Sequence, residues 1–423
     1  METKPDNEKP FQGIDYLKIT ILGFALAAVA NAMHTIILPI RVQDFAGADL
    51  KSTYLGLMTF AGLIIALLCQ PVIGAISDKS SFHWGRRKPF IFAGITTALI
   101  ILLGIGSANS YAVLFILWCM MQASLNIAQG PFQALIPDLA PENKRGLASG
   151  IKNLLEIVGG VALLSVIGNF MSRYSPAGNS IWFWMSLGLL GLALLVTMLV
   201  TVLTVKEQPG TGRSAPFNFS IIFESFRISL KGNPGFVFFL VSRLLFMMAL
   251  TTLQSFALYY FQDMAAFTNP IEVTANMITI VGITMLIVVY PAGKYSDKIG
   301  RKPILLGCGL LAAAGIALIF FFHSYNWILF AGVLIGISAG AFLSTNWALA
   351  TDLIPREEAA RYLGIANLAS AGGGALARLI GPVIDFFNRI ADGMGYSVML
   401  GACFVYFIIS AVLIWQIRTP TKY

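Results

Sequence analysis

Twelve apolar segments, each long enough to cross a bilayer, succeed one another along these 423 residues and leave little choice of architecture. A hydrocarbon core about 30 Å thick needs about 20 mostly apolar residues per helix. The segments lie near 16–40, 53–77, 89–107, 110–136, 147–170, 181–204, 234–261, 272–295, 303–322, 325–351, 361–387 and 395–417. Backbone groups facing lipid must be satisfied within their own segment, and no alternating barrel pattern occurs. The expectation is an all-α membrane protein with twelve transmembrane helices. Only 11% of the residues are charged, less than half of what a water-soluble surface carries. That excludes a soluble globule, a disordered chain and a disulfide-rich secreted domain.

The four cysteines, Cys69, Cys119, Cys308 and Cys403, all fall inside apolar stretches and have neither metal-ligand nor disulfide-framework spacing. They read as packing residues. No cleavable signal peptide is visible before the first span. The formal charge of +8 does not point to nucleic acid, because the basic residues sit in short loops. Lys79, Arg86, Arg87 and Lys88 follow span 2, Lys144 and Arg145 follow span 4, and Lys294, Lys298, Arg301 and Lys302 flank the turn after span 8. Arg356 follows span 10. Connections on the other side offer Arg41, Lys51, Arg173 and Arg389. The basic side is expected to be cytoplasmic, with both termini inside and the protein in the cell membrane.

The longest polar interruption, 206–233, contains Pro209, Gly210, Gly212 and Pro216 and carries Lys206, Arg213, Arg227 and Lys231. It divides the chain into an N-terminal six-helix bundle, 1–205, and a C-terminal one, 234–423. Phe223 to Leu230 within it suits a short amphipathic helix at the membrane surface. The two halves echo one another. Ala134-Leu135-Ile136-Pro137-Asp138-Leu139-Ala140-Pro141 resembles Ala348-Leu349-Ala350-Thr351-Asp352-Leu353-Ile354-Pro355, and at the same offset Gly150, Ile151, Asn153 and Leu154 meet Gly364, Ile365, Asn367 and Leu368. Gly74, Ser77, Asp78 and Lys79 match Gly293, Ser296, Asp297 and Lys298, and Arg87-Lys88-Pro89 matches Arg301-Lys302-Pro303. Two similar bundles can rock against each other around a site near the bilayer midplane, exposing it to one side at a time.

With these doubled motifs the chain resembles the major facilitator superfamily over nearly its whole length. The turn Ser77-Asp78 with Trp84-Gly85-Arg86-Arg87-Lys88-Pro89-Phe90, and Gln129-Gly130-Pro131 with Ala134-Leu135 and Asp138-Leu139, are similar to the branch containing sucrose–proton and glycoside–cation symporters. The resemblance implies two pseudo-symmetric six-helix bundles, a cavity lined by spans 1, 4, 7 and 10, and transport of a sugar or glycoside coupled to H+ or another cation such as Na+. The chain departs from the sucrose pattern at Gln122 and Gln133, where that pattern has an acid and an arginine.

The duplicated turns place Asp78 and Asp297 at the ends of spans 2 and 8, and Asp138 and Asp352 at the ends of spans 4 and 10, all on the basic side. Gly85 and Gly300 allow tight reversals before Pro89 and Pro303. Carboxylates there can pair with Arg86, Arg87 or Arg301 and act as a cytoplasmic gate that breaks when the inner face opens. The competing reading is that the basic residues anchor the loops to anionic lipid.

Ionisable residues inside spans cost about 2.5–3.5 kcal/mol each at the bilayer centre. Glu156 lies roughly 13 Å into span 5, with Lys152 one turn earlier on the same face. The pair is either self-neutralising structure or a proton-coupling site in which Glu156 accepts the proton and Lys152 replaces it. His34 in span 1 is a candidate relay. Arg243 in span 7 has no acid near it in its own helix. Arg378 and Asp385 in span 11, seven residues apart, are expected to face each other. Substrate binding is assigned to Asn126 and Gln129 in span 4, Gln254 and Arg243 in span 7, and Asn346 with Trp347 in span 10, which supply amides, charge and an aromatic face, with Trp118 and Tyr259 as weaker candidates. Each is equally suited to an interhelical hydrogen bond.

Gly336-Ile337-Ser338-Ala339-Gly340 fits a hydrolase elbow pattern, but lacks the strand–turn–helix context. Gly332, Gly336 and Gly340 instead form a stripe suited to close helix packing. No dinucleotide, phosphate-loop or zinc-protease motif appears. The expected function is therefore not enzymatic and needs no cofactor or metal. It is secondary active transport of a small-molecule substrate by a monomer embedded in membrane lipid. Export of amphipathic drugs or metabolites is the alternative, with a channel or intramembrane enzyme as remote ones.

Overall fold

The computed structural model describes residues 11–175, 178–207, 234–265, 267–354 and 359–417, with side chains from Tyr362 in the last stretch. The amphipathic segment expected at Phe223 to Leu230, the connection beyond Glu207, and Arg356 lie outside the described residues.

Among the described residues, twelve helices are long and apolar enough to span a membrane: α1 Gly13–Phe45, α2 Lys51–Asp78, α3 Lys88–Ser107, α4 Tyr111–Leu139, α5 Glu142–Met171, α6 Ile181–Thr204, α7 Pro234–Asp263, α8 Pro270–Ile299, α9 Arg301–Phe321, α10 Tyr325–Leu353, α11 Tyr362–Ile390 and α12 Met394–Gln416. All twelve expected spans are present. Most run past their apolar segments into polar residues. One turn of α1, Met33–Ile37, is widened to π geometry and carries His34.

The basic loops gather at one end of the molecule. The start of α1 is held there, because Lys144 Nζ donates to the Phe11 carbonyl at 3.0 Å. The end of α12 is there too, with Lys302 lying 5.9 Å from the Trp415 ring centroid. We call this the basic end, and the opposite one the far end.

Both halves use the same local devices. Gly85 and Gly300 take φ of +124° and +96°, values that a side chain disfavours, and each turns the chain into the next helix. The Ser77 and Ser296 hydroxyls donate to the Gly74 and Gly293 carbonyls at 2.8 and 2.7 Å. Within the first half α1 packs on α5 and α4 on α2 and α3. In the second, α7 packs on α11 and α10 on α8 and α9. The halves meet through α5 against α8 and α2 against α11.

The glycine stripe serves packing. A Cβ on Gly336 or Gly340 would lie 2.7 Å from the Val281 or Met285 carbonyl oxygen of α8, and the Ser338 hydroxyl donates to the Cys308 carbonyl at 2.7 Å. The far-end seam between the halves is equally close. A Cβ on Gly56 of α2 would overlap the Arg378 carbonyl oxygen of α11, and one on Gly381 would overlap the Ser52 carbonyl oxygen.

One expectation is corrected. Asp385 does not pair with Arg378. Helix α11 breaks at Leu379–Ile380, just before Pro382, so the seven-residue spacing does not keep one face. Asp385 instead reaches across to the other half and accepts from the backbone N–H of Ser52 at 3.3 Å and of Thr53 at 2.6 Å. It thereby satisfies donors at the start of α2 that have no partner within the helix.

Candidate functional site

A cavity of about 370 Å³ lies between the halves, within the range of small-molecule sites. Its walls come from α1, α5, α7 and α8, with α9, α10 and α12 behind; α4, which the resemblance places at the cavity, contributes no residue to this one. Most of the wall is apolar, including Leu250, Leu253, Val281, Met285 and Ile335, and its polar groups are Asn31, Glu156, Gln254 and Tyr260.

Glu156 and Lys152 form the ion pair that their spacing predicts, Nζ to Oε1 3.0 Å, with the carboxylate the more exposed of the two. Glu156 faces the cavity and Gln254 stands on the opposite half. Gln254 Nε2 donates to Asn31 Oδ1 at 3.1 Å, a hydrogen bond that crosses between the halves. Asn31 was not singled out from the sequence. A lone amide in an apolar span carries little signal until its partner from another helix is known.

A second cluster lies in the other half. Arg243 Nε donates to Ser370 Oγ at 2.6 Å, its Nη1 donates to Asn346 Oδ1, and its guanidinium lies 4.5 Å from the Trp347 ring centroid. Three expected binding residues therefore meet, on α7 and α10, with Ser370 of α11 joining them. They do not line the cavity at Glu156.

The remaining expected residues stand apart. Asn126 is buried and its amide donates to the Gln122 carbonyl one turn back, at 2.8 Å. Gln129 is half-buried outside the cavity lining. Gln133, one of the departures from the sucrose pattern, accepts from Gln70 at 3.1 Å, so a neutral pair joins α2 and α4 there. The His34 ring is held by the Ala30 carbonyl at 2.8 Å and meets Trp118 edge-on at 5.0 Å. It is not part of the Glu156 cavity wall.

At the basic end the expected ion pairs form, each within its own half. Arg86 Nη2 and Arg87 Nε approach the two oxygens of Asp138 at 2.6 and 2.9 Å, and Arg87 also pairs with Asp78. In the second half Arg301 Nε lies 2.9 Å from Asp352 and its Nη2 lies 3.5 Å from Asp297. Arg87 is also met by Glu207, whose Oε2 accepts from the Arg87 backbone N–H at 2.8 Å. Burial pushes the Glu207 carboxyl above the usual carboxylate range, while the Arg87 and Lys88 N–H groups and charges pull the other way.

Further polar contacts between the halves lie at the far end. Lys51 Nζ lies 2.6 Å from Asp263 Oδ2, Tyr259 donates to the Pro39 carbonyl at 2.8 Å, and Gln43 donates to Gln262 at 2.5 Å. Among the described residues the geometry is that of two bundles that touch at the far end and along α5 and α8, with a partly polar cavity between them.

Known proteins agree with this architecture. An uncharacterized MFS-type transporter of Methanocaldococcus jannaschii is 26% identical over 362 residues, covering 82% of this chain and 83% of that one. The lactose permease of Leuconostoc lactis is 20% identical over 73% of this chain and 52% of its own length. The sucrose transport protein SUC3 of Arabidopsis thaliana is 33% identical over 122 residues, which is 24% of this chain and 20% of that protein. Among solved structures, a bacterial homolog of the human lysosomal transporter Spinster, inward-facing and unoccupied, has a TM-score of 0.73 at 16% identity, covering 98% of this chain and all of that one. A D-xylose-proton symporter has a TM-score of 0.71 at 18% identity over 96% and 98%. At such identities these two likenesses are of fold. The profile of the Major Facilitator Superfamily matches residues 20–377 and 267–422. This chain belongs to that superfamily, and is a multi-pass membrane transporter rather than an enzyme.

Proposed function

We propose that the protein moves a small polar solute, a sugar or glycoside, across the cell membrane by alternating access, and that H+ or another cation drives it. The observation that carries this reading is the Glu156 carboxylate on the wall of a cavity between the halves, 3.0 Å from Lys152. A carboxylate that exchanges its lysine for a proton can couple protonation to movement, because the lysine must find another partner each time the acid is neutralised. Asn31 and Gln254 supply amides for hydroxyl groups at the same wall. The sucrose and D-xylose–proton relatives lend support.

The bundles 1–205 and 234–423 are the moving bodies in this proposal, joined by 206–233, and one monomer in lipid suffices. The basic end faces the cytoplasm, with both termini inside. Contacts between halves at the far end then correspond to a state closed to the outside. In that state the Asp138 and Asp352 clusters are intact and each lies within one half, so they brace the inner loops and do not latch one half to the other; His34 serves as a relay only if it rotates away from Trp118.

The test is uptake into proteoliposomes. Glu156→Gln should abolish accumulation driven by a pH gradient and preserve exchange of labelled for unlabelled sugar. Undiminished accumulation in that variant would remove Glu156 as the proton carrier. The apolar majority of the cavity wall favours a second reading, export of amphipathic compounds. Transport of hydrophobic drugs with no transport of any sugar would select it.

A further inference from the structure

The two halves carry different charge at one duplicated place. Asn346 and Ser370 follow Phe132 and Glu156 at the same offset by which Gly364 follows Gly150. In the first half, Glu156 and Phe132 face Gly23, where a Cβ would lie 3.1 Å from Glu156 Cγ and 3.5 Å from Phe132 Cζ. In the second half, Ser370 and Asn346 face Arg243, which donates to both. One half thus has an acid opposite a glycine. The other has a base opposite a hydroxyl, at the place where the acid would have neutralised it.

Among the described residues Arg243 forms no ion pair, although it is only 3% exposed. Asn346 is 0% exposed and its Nδ2 has no hydrogen-bond partner. A buried guanidinium and an idle amide donor side by side are unfavourable unless something negative arrives. Ser370 and Trp347 are only half-buried, so the cradle is not sealed on every side. Arg378, eight residues along α11 from Ser370 and so about 12 Å away, is a second buried cation without an ion pair among the described residues, and its Nε is unpartnered. Two buried cations raise the electrostatic potential around them, which favours an anion and disfavours a cation.

We propose that the Arg243 cradle receives an oxyanion carried by the cargo, a carboxylate or a phosphate ester, so that the transported sugar or glycoside is acidic. The guanidinium offers paired planar donors that match such a group. Asn346 Nδ2 adds a third donor, and Trp347 holds the guanidinium plane by stacking against it. This inference rests on the sugar reading above for the rest of the cargo, but the oxyanion site is separable from it.

The experiment measures binding to the purified full chain in detergent, by ligand-induced thermal shift and titration. Two matched probe sets are used: 4-nitrophenyl β-D-glucoside against 4-nitrophenyl β-D-glucuronide, and 4-nitrobenzyl alcohol against 4-nitrobenzoate and 4-nitrophenyl phosphate. The expected result is at least tenfold tighter binding of an anionic member than of the neutral member of its set, reduced to parity in Arg243→Gln. Asn346→Asp supplies an internal counterion. It should raise the melting temperature of the unliganded protein and also erase the anion preference, which keeps the test decisive if Arg243→Gln fails to fold. Equal binding of neutral and anionic members in the unaltered protein overturns the proposal. So does an anion preference that survives both substitutions. Neutral glucoside binding without anion preference leaves the sugar reading standing and removes the cradle. Arg243-dependent binding of nitrobenzoate or nitrophenyl phosphate, with neither sugar bound, supports the cradle and removes the sugar reading.

Discussion

Lys51 Nζ lies 2.6 Å from Asp263 Oδ2, an ion pair whose partners stand at the far ends of α2 and α7 and so join one half of the protein to the other. Asp263 also accepts from the Tyr396 hydroxyl at 2.6 Å, and Lys51 lies 4.9 Å from the Tyr259 ring centroid. The far-end closure is therefore a network centred on one carboxylate.

Asp263→Asn should loosen that closure. Hydrogen bonds to charged groups contribute roughly 1.5–3 kcal/mol, and the partial exposure of Asp263 reduces this to about 1–2 kcal/mol, a factor of about 5–30 in population. With the four native cysteines replaced, a cysteine in place of Ala257 on the cavity wall should then react faster, by about that factor, with a membrane-impermeant reagent supplied from the far side. An unchanged rate would show that the pair does not hold this state.

The two basic-end clusters should differ in what they contribute to stability. Asp138 accepts both Arg86 and Arg87, whereas Asp352 accepts Arg301 through one short contact. Breaking a buried ion pair costs about 3–5 kcal/mol, and the Arg87 side chain is only 5% exposed. Asp138→Asn is expected to lose about 3 kcal/mol and Asp352→Asn about 1–2 kcal/mol, since Asp352 is nearer solvent. Thermal unfolding in detergent ranks them.

Glu207 gives a pH dependence with a definite sign. Its carboxyl is held above the ordinary value of 4.5, first by burial, so the folded state binds the proton more tightly than the unfolded one. Its contribution is most favourable below that ordinary value and declines as pH rises through the raised one. Glu207→Gln should therefore melt above the parent protein at neutral pH and converge with it near pH 4. Parallel melting curves across this window would remove Glu207 from the account.

Gly56→Ala tests the seam between α2 and α11. The added methyl would overlap the Arg378 backbone carbonyl, which cannot rotate away as a side chain can. The expected outcome is separation of the halves at the far end and, by overpacking, about 1–3 kcal/mol lost from the closed state. Gly381→Ala should act in the same direction through the Ser52 carbonyl. The Ala257 cysteine reports both.

What the sequence made legible was local or repeated. The spans follow from apolar length, and the duplicated turns from Gly85 and Gly300, whose positive φ is the reason those glycines are needed. The Glu156–Lys152 pair follows from i,i+4 spacing. The meeting of Arg243 with Asn346 and Trp347 was expected only in that each belonged to a binding set. Their direct contact depends on how α7 and α10 pack. Asn31 with Gln254 and Lys51 with Asp263 were illegible for the same reason, since each bond joins residues more than 200 positions apart. Arg378 and Asp385 misled because a periodicity argument assumes an unbroken helix, and α11 breaks between them. The inner aspartates pair as their charges suggest. Periodicity, however, gives no information on whether an arginine closes on its own bundle or the opposite one.

The backbone seam at Gly56 and Gly381 has one more implication. Carbonyls and methylene hydrogens do not titrate and are hardly screened by ions, so its fit should be the same in acid and in brine, while the neighbouring lysine–aspartate bond weakens with salt. A small wedge-shaped molecule lodging there could jam the transport cycle without resembling any cargo, and no excess of cargo at the central site would chase it out by direct competition.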